Sequence, residues 1–284
     1  MNAPARIAAF VSVLVVIFGG AALAGAALDP ESGAGDEHAG ASAPAGGHGD
    51  PHVPATDSVA GEVPPPGLAA SQDGLRLVVE RTRFTADLAM ALRFRIVDSA
   101  GATVRDFETE QARRMHLIVV RRDLRRYQHV HPVQGADGGW SIDLTLPEAG
   151  VYRAFADFRI GGEQHTLGVD LFAPGDFRPL ELPPAGRVAQ TDGYDVQLLP
   201  RDGSVLRFTI VRGTRTVIPQ PYLGAKGHLV VLREGDLAYR HVHPLARGLG
   251  FEAGAAEPGT YRLFLQFRHA GKVHTAAFTQ VVAP

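Results

Sequence analysis

Eight histidines of this sequence fall into two matched sets, and imidazole is the side chain most often used by proteins to bind a metal ion. The chain has 284 residues with 12 histidines, three methionines and no cysteine, which excludes disulfide frameworks and thiolate metal sites. In both sets the first two members are 13 residues apart. The two sets are His116, His129, His131 and His165, and His228, His241, His243 and His274.

The His-Val-His pairs at positions 129–131 and 241–243 have the spacing expected of two ligands on one strand. Alternate residues of a strand point to the same side about 7 Å apart, close enough to share one ion. A histidine from the preceding strand and one from a later strand could complete three or four nitrogen ligands. We therefore predict that each set binds one transition-metal ion, and that the ion is copper(II) or zinc because thiolates are absent and thioethers are scarce.

A structural role for the same histidines remains open at this stage. A ring nitrogen bonded to a backbone carbonyl can fix a hairpin, and a duplication would preserve that bond in both copies. His165 shares its strand face with Leu167, Val169 and Leu171, a pattern that is also typical of a buried, hydrogen-bonded histidine. His116 opens an apolar strand and has the same ambiguity.

An internal repeat explains why the histidines match. Residues 116–132 align without a gap to residues 228–244 with nine of 17 positions identical, and residues 152–166 align to 261–275 with eight of 15 identical. A repeat at a fixed period indicates two copies of one structural unit. The alignment predicts module 1 at residues 71–174 and module 2 at 187–284, joined by a linker at 175–186.

Each module is predicted to be an all-β, immunoglobulin-like Greek-key sandwich. Short strand-like segments are separated by turn residues such as Gly, Pro and Asp. Within 261–268 apolar residues recur with a period of two, which is typical of a strand with one buried face. Tyr152 and Tyr261 follow short Pro- and Gly-containing segments and resemble a tyrosine corner, in which the hydroxyl bonds back to the backbone at the start of a strand.

The N-terminal region is predicted to lie outside both modules. The 22 residues from Ile7 to Leu28 carry no charge and follow Arg6, so residues 1–28 are predicted to be either a cleaved signal peptide or an apolar helix that anchors the chain in the membrane. Residues 29–70 are rich in Gly, Ala and Pro and are predicted to be a disordered tether. Both modules are then extracytoplasmic.

Charge and motif content favour binding over catalysis. With 28 basic and 30 acidic residues, no sequence-wide charge indicates nucleic acid as a partner. The segment from Gly235 to His243 resembles the start of a cupin metal motif, but Arg247 and Gly248 stand where that motif has a glutamate. His-Val-His also resembles the copper-binding pair of copper-zinc superoxide dismutase, whose other ligands have no counterpart here.

The whole layout resembles a family of bacterial exported or membrane-anchored proteins that are sometimes labelled heavy-metal-binding. The resemblance covers residues 72–284 and is carried by the segments around Met115-His116, His129-Val-His-Pro132, Tyr222 to Arg233 and His241-Val-His-Pro244. It implies metal handling. We therefore expect an extracytoplasmic protein that buffers or delivers a metal ion, most simply copper. The alternatives are a cell-surface structural or interaction module with structural histidines and, third, a copper-dependent or cupin-like redox enzyme. No protein partner is predicted.

Overall fold

The fold is all-β, as the sequence predicts. The computed structural model describes residues 65–200, 204–240, 242–246, 248–254 and 257–283, apart from the side chain of His243, and within these ranges every helix-or-strand element is a strand. No helix in the described part of the chain has the length and apolar character needed to cross a membrane. The predicted leader at 1–28 and all but the last residues of the predicted tether lie outside the described residues.

Module 1 has nine strands in two antiparallel sheets. One sheet, here called its outer sheet, has the order β1-β2-β3-β7-β6, and the other, its inner sheet, has the order β5-β4-β8-β9. The strands are Ser71–Gln72 (β1), Leu75–Val79 (β2), Ala89–Val97 (β3), His116–Arg121 (β4), Gln128–Val130 (β5), Val133–Gln134 (β6), Trp140–Thr145 (β7), Gly150–Ile160 (β8) and Glu163–Ala173 (β9).

Module 2 repeats this arrangement with ten strands. Its outer sheet has the order β10-β11-β12-β17-β16, with β13 also paired to β12, and its inner sheet has the order β15-β14-β18-β19. The strands are Val188–Thr191 (β10), Tyr194–Leu198 (β11), Val205–Arg212 (β12), Arg215–Val217 (β13), His228–Arg233 (β14), Tyr239–Arg240 (β15), His243–Pro244 (β16), Gly250–Glu252 (β17), Gly259–His269 (β18) and Lys272–Val282 (β19).

The strand order is that of an immunoglobulin-like sandwich. In module 1, β2-β3-β7-β6 corresponds to the A-B-E-D sheet and β4-β8-β9 to the C-F-G sheet. Both predicted tyrosine corners are present: the Tyr152 hydroxyl donates to the Glu148 carbonyl at 2.9 Å, and the Tyr261 hydroxyl donates to the Glu257 carbonyl at 2.9 Å. In each module this bond fixes the turn at which the chain crosses from the outer to the inner sheet.

The inner sheets are buried on both faces. All six residues of β4 are buried, because Leu117 and Val119 face the core of module 1 while Ile118 and Val120 face module 2. A strand with one face in water would alternate between buried and exposed positions. The two inner sheets therefore pack against each other, and this interface forms a third apolar cluster in addition to the two module cores.

The contacts across this interface are reciprocal. Tyr127 of module 1 stacks on Phe264 of module 2, with ring centroids 4.2 Å apart. Tyr239, the repeat equivalent of Tyr127, packs against Phe155, the equivalent of Phe264, at 5.4 Å. Each module thus contributes the same two aromatic positions to the same interface.

The end of the predicted tether forms a strap on module 1. Residues 65–70 lie against β8 and β9, with the Gly67 amide donating to the Thr166 carbonyl at 2.8 Å and the Gly168 amide donating to the Ala69 carbonyl at 2.9 Å. The Arg153 guanidinium donates to the Gly67 carbonyl at 2.7 Å. Residues 65–70 of the predicted tether are thus bonded to the inner sheet of module 1.

Candidate metal centre

Three of the histidines converge where β4 pairs with β5. His116 opens β4, His129 lies in β5, and His131 follows β5; one ring nitrogen from each lies within 4.8 Å of the others. The strand register explains the grouping. Ile118 pairs with His129, so these two side chains lie on the same face of the sheet. His116 and His131 are each two positions from one of this pair and therefore lie on that face as well. All three histidines are on the face of the inner sheet that meets module 2.

The hydrogen bonds at this site leave ring nitrogens pointing at each other. His116 donates from Nε2 to the Glu110 carbonyl at 3.1 Å, and His129 donates from Nδ1 to the Gln266 Oε1 at 2.8 Å. These partners place the protons, so His116 Nδ1 and His129 Nε2 carry lone pairs, and the two atoms are 3.0 Å apart. Facing lone pairs repel unless a cation lies between them.

This pattern is the one found around bound metals. Metal-ligating histidines usually donate their remote N–H to a carbonyl or carboxylate, which fixes the tautomer and aims the free nitrogen at the ion. Nitrogens bound to one tetrahedral ion at about 2.0 Å are about 3.3 Å from each other. His116 Nδ1 and His129 Nε2, which are 3.0 Å apart, are already near that value, whereas the three ligand atoms as a group lie within 4.8 Å and would have to move closer together.

His131 supplies the third ring. Its ring centroid is 5.1 Å from that of His116 and 4.8 Å from that of His129. Its Nε2 is buried and has no hydrogen-bond partner among the described residues. An unpaired buried nitrogen costs about 1–3 kcal/mol, which coordination of an ion would recover.

Two histidines of this site, His129 and His131, are held in the uncharged form. Burial lowers the pKa of His129 well below its ordinary range, and the neighbouring His116 and His131 lower it further. Burial lowers the pKa of His131 to about 3, and the neighbouring His116 and Arg113 act in the same direction. Because neutral imidazole is the form that binds metal, the site needs no proton loss at neutral pH.

A fourth histidine, His228 of module 2, lies beside the three. Its ring centroid is 6.5 Å from that of His116 and 5.9 Å from that of His129. Its Nε2 donates to the Tyr222 carbonyl at 2.9 Å, as His116 does to Glu110, but its Nδ1 is 2.6 Å from the Gln111 side chain. Burial lowers the pKa of His228 to about 4.

The structure places His165 and His274 on the faces of the inner sheets that look away from the interface between the modules. His165 pairs with Phe158 and stacks on it at 5.7 Å, on the side of the sheet that faces the core of module 1. His274 pairs with Phe267, stacks on it at 5.2 Å, and bonds through Nδ1 to Asp192 at 2.7 Å. Neither ring joins the three converging histidines, because the sheet lies between them.

The His-Val-His pair of module 2 is only partly described. His241 lies outside the described residues, and His243 is placed by its backbone alone, which opens β16 and pairs with Glu252.

Sequence reasoning missed the two glutamines that reach across the interface, Gln266 to His129 and Gln111 to His228. Both residues sit on surfaces that an isolated sandwich would expose to water. The available signal was Phe155 and Phe264, large aromatic residues that both repeats keep on the face of the strand opposite the module core.

Comparison with known proteins gives one family and no function. A family described as "Domain of unknown function (DUF8832)" matches twice, at residues 70–174 and 189–284, which confirms the repeat. None of the curated proteins matches the chain.

Solved structures give only weak similarity. The bacterial integrin-binding protein invasin is 14% identical, over 72% of this chain and 39% of its own, with a TM-score of 0.21. The FN1–FN3 domains of chicken CNTN1 are 9% identical, over 78% of this chain and 69% of their own, with a TM-score of 0.21. The titin domains Z1Z2 in complex with telethonin are 13% identical, over 75% and 98%, with a TM-score of 0.20. The chain spans about two fifths of the invasin structure, and TM-scores this low carry no argument about function.

Proposed function

The chain belongs to the DUF8832 family, whose domain it carries twice, and we propose that it binds a transition-metal ion through His116, His129 and His131 in order to buffer or deliver that ion outside the cytoplasm. The observation that carries the proposal is the convergence of three ring nitrogens within 4.8 Å of one another. The remote N–H groups of His116 and His129 support it, since both are held by oxygen atoms.

The ligand set favours copper(II) or zinc. Three neutral imidazoles suit either ion, and three protein ligands leave a further coordination position open. An open position suits a protein that must release its ion. The apolar segment at 7–28 supports a location outside the cytoplasm.

A second ion in module 2 is part of the proposal. The repeat matches His228, His241 and His243 to the three ligands of module 1. His228 supports this assignment because its Nε2, like that of His116, donates to a backbone carbonyl. An ion would replace the Gln111 side chain that now contacts His228 Nδ1.

A structural or interaction module is the second candidate. The observation that favours it is that His165 and His274 both stack on core phenylalanines, so some of the matched histidines serve packing. In this case the three converging rings would stabilise the interface between the modules without an ion.

Metal stoichiometry separates the two candidates. The full chain, purified without a histidine tag, is equilibrated with copper or zinc, dialysed, and analysed for bound metal. We expect the variant His116→Ala/His129→Ala/His131→Ala to lose one ion per chain. The matched control, His165→Gln/His274→Gln, should keep the full complement. An unchanged metal content in the triple variant would favour the structural candidate.

A further inference from the structure

An open cleft on module 1 leads to the histidines. It has a volume of about 810 Å³ and is lined in part by His129, His131, Arg113, Arg114 and Trp140. His129 and His131 thus line this cleft, and His129 also bonds to Gln266 of module 2. His131 is part of the cleft wall, and its buried Nε2 has no hydrogen-bond partner in the described part of the chain.

The cleft carries positive charge with no partner. Arg113 and Arg114 are exposed, and neither forms an ion pair with any residue in the described ranges. The one hydrogen bond that Arg113 makes there from its side chain goes to the carbonyl of Ala112 at 3.2 Å, and Arg114 lies over the Trp140 ring at 5.9 Å. Of the described residues that line the cleft, none carries a carboxylate.

A divalent ion at this site would add to that charge. Three neutral histidines do not offset a divalent cation, and the Asp157 carboxylate opposite His116 offsets only one of its two charges. Two guanidinium groups add positive charge in the cleft. An anion that enters the cleft is therefore attracted by both the ion and the arginines. Guanidinium groups bind carboxylates and phosphates in a planar, two-point geometry. Carboxylate oxygens are also regular ligands of zinc, so a carboxylate fits both the arginines and the ion.

We propose that a small carboxylate binds in this cleft as the fourth ligand of the metal, held by Arg113 and Arg114. The inference rests on the proposed function, and it specifies how the ion is held: the protein binds a metal–carboxylate pair in which it supplies three nitrogens and two cations. Loss of the carboxylate then opens a coordination position through which the ion can leave.

Cobalt(II) gives a direct readout, because its visible absorption changes with the ligands that surround it. The full chain is loaded with cobalt, the bound cobalt is quantified, and acetate is titrated while the visible spectrum is recorded. We expect acetate to shift the cobalt bands with saturation. In the variant Arg113→Gln/Arg114→Gln, the acetate affinity measured on the cobalt that the variant binds should be lower by about tenfold or more.

The matched control is Arg76→Gln/Arg93→Gln, which removes two exposed arginines of β2 and β3 that do not line the cleft. It should bind cobalt and acetate as the unaltered chain does. Cobalt-loaded protein whose spectrum does not respond to acetate would overturn this inference and leave the proposed function standing. An equal acetate response in the cleft variant would do the same. A chain that takes up neither cobalt nor copper nor zinc would overturn the proposed function, and this inference with it.

Discussion

At the scale of single residues, the main feature is a group of imidazoles that cannot easily take up protons. His131 and His228 have their pKa lowered by burial to about 3 and about 4, from an ordinary value of 6.5. In an unfolded chain the same residues would have a pKa near 6.5 and would take up protons as the pH falls below that value. The folded, metal-free protein therefore binds fewer protons than the unfolded chain at mildly acidic pH.

This difference predicts acid sensitivity of the metal-free protein. The unfolded state gains protons as the pH drops below 6.5, while the folded state gains them only near pH 4 and below, so the free energy of unfolding should fall across that window. Above pH 6.5 these two residues should contribute no pH dependence. Urea unfolding at pH 7.5 and at pH 5 measures the effect.

The variant His131→Gln/His228→Gln provides the comparison for this measurement. Glutamine does not titrate, so the loss of stability between the two pH values should be smaller in the variant. An equal loss in both proteins would mean that other groups cause the acid sensitivity.

At the scale of strands, turn geometry decides which histidines can meet. The hairpin between β8 and β9 turns at Gly161 and Gly162, both with positive φ, and this two-residue turn pairs Ile160 with Glu163. The pairing places His165 opposite Phe158, on the core face. The sequence holds this information, since Gly-Gly between two strand-like runs is a hairpin signal, and reading it would have separated His165 from the other three.

The strap depends on close contact between two glycines. A Cβ on Gly168 would lie 2.1 Å from the Gly67 carbonyl oxygen, far inside van der Waals contact. Gly168→Ala should therefore displace the strap and lower the free energy of unfolding by about 1–3 kcal/mol. Chemical denaturation of the full chain measures the change.

Gly186→Ala is the control for this substitution, since the nearest atom to a Cβ there is 3.9 Å away. It should leave stability nearly unchanged. If Gly168→Ala is as stable as this control, the strap does not contribute to the fold in the way that its hydrogen bonds indicate.

At the scale of the whole molecule, the packing of the two inner sheets is what the sequence did not predict. The repeat, the sandwich fold and the tyrosine corners follow from periodicity and spacing, which depend on neighbouring residues in one module. An outward strand face such as Arg262, Phe264 and Gln266 has the same pattern whether water or another sheet covers it. Only the structure shows that all three are buried.

This packing predicts that module 2 affects the metal site of module 1. Gln266 holds the Nδ1 proton of His129, so Gln266→Leu should weaken metal binding at His116, His129 and His131 by about 10–100-fold. Competition with a chelator of known affinity measures the change.

The control is Gln190→Leu, which removes an exposed glutamine of β10 that bonds to Asp195. Its metal affinity should equal that of the unaltered chain. Urea unfolding of both metal-free variants checks that the modules remain folded. An undiminished affinity in a folded Gln266→Leu protein would show that His129 is oriented by other contacts.

The reciprocal aromatic contacts have the form of a two-fold symmetric dimer, in which the same patch of each subunit meets its own copy. The chain resembles such a dimer whose two subunits are joined in one polypeptide. Its two halves therefore meet at an effective concentration that does not depend on the protein concentration. Two identical subunits must change together, whereas fused halves can change separately. Asp157 pairs with His116 in module 1, and Gln266 pairs with His228 at the equivalent position of module 2. The residue type at this position therefore differs between the two halves. Fusion thus lets one half of a symmetric interface become different from the other without loss of the interface itself.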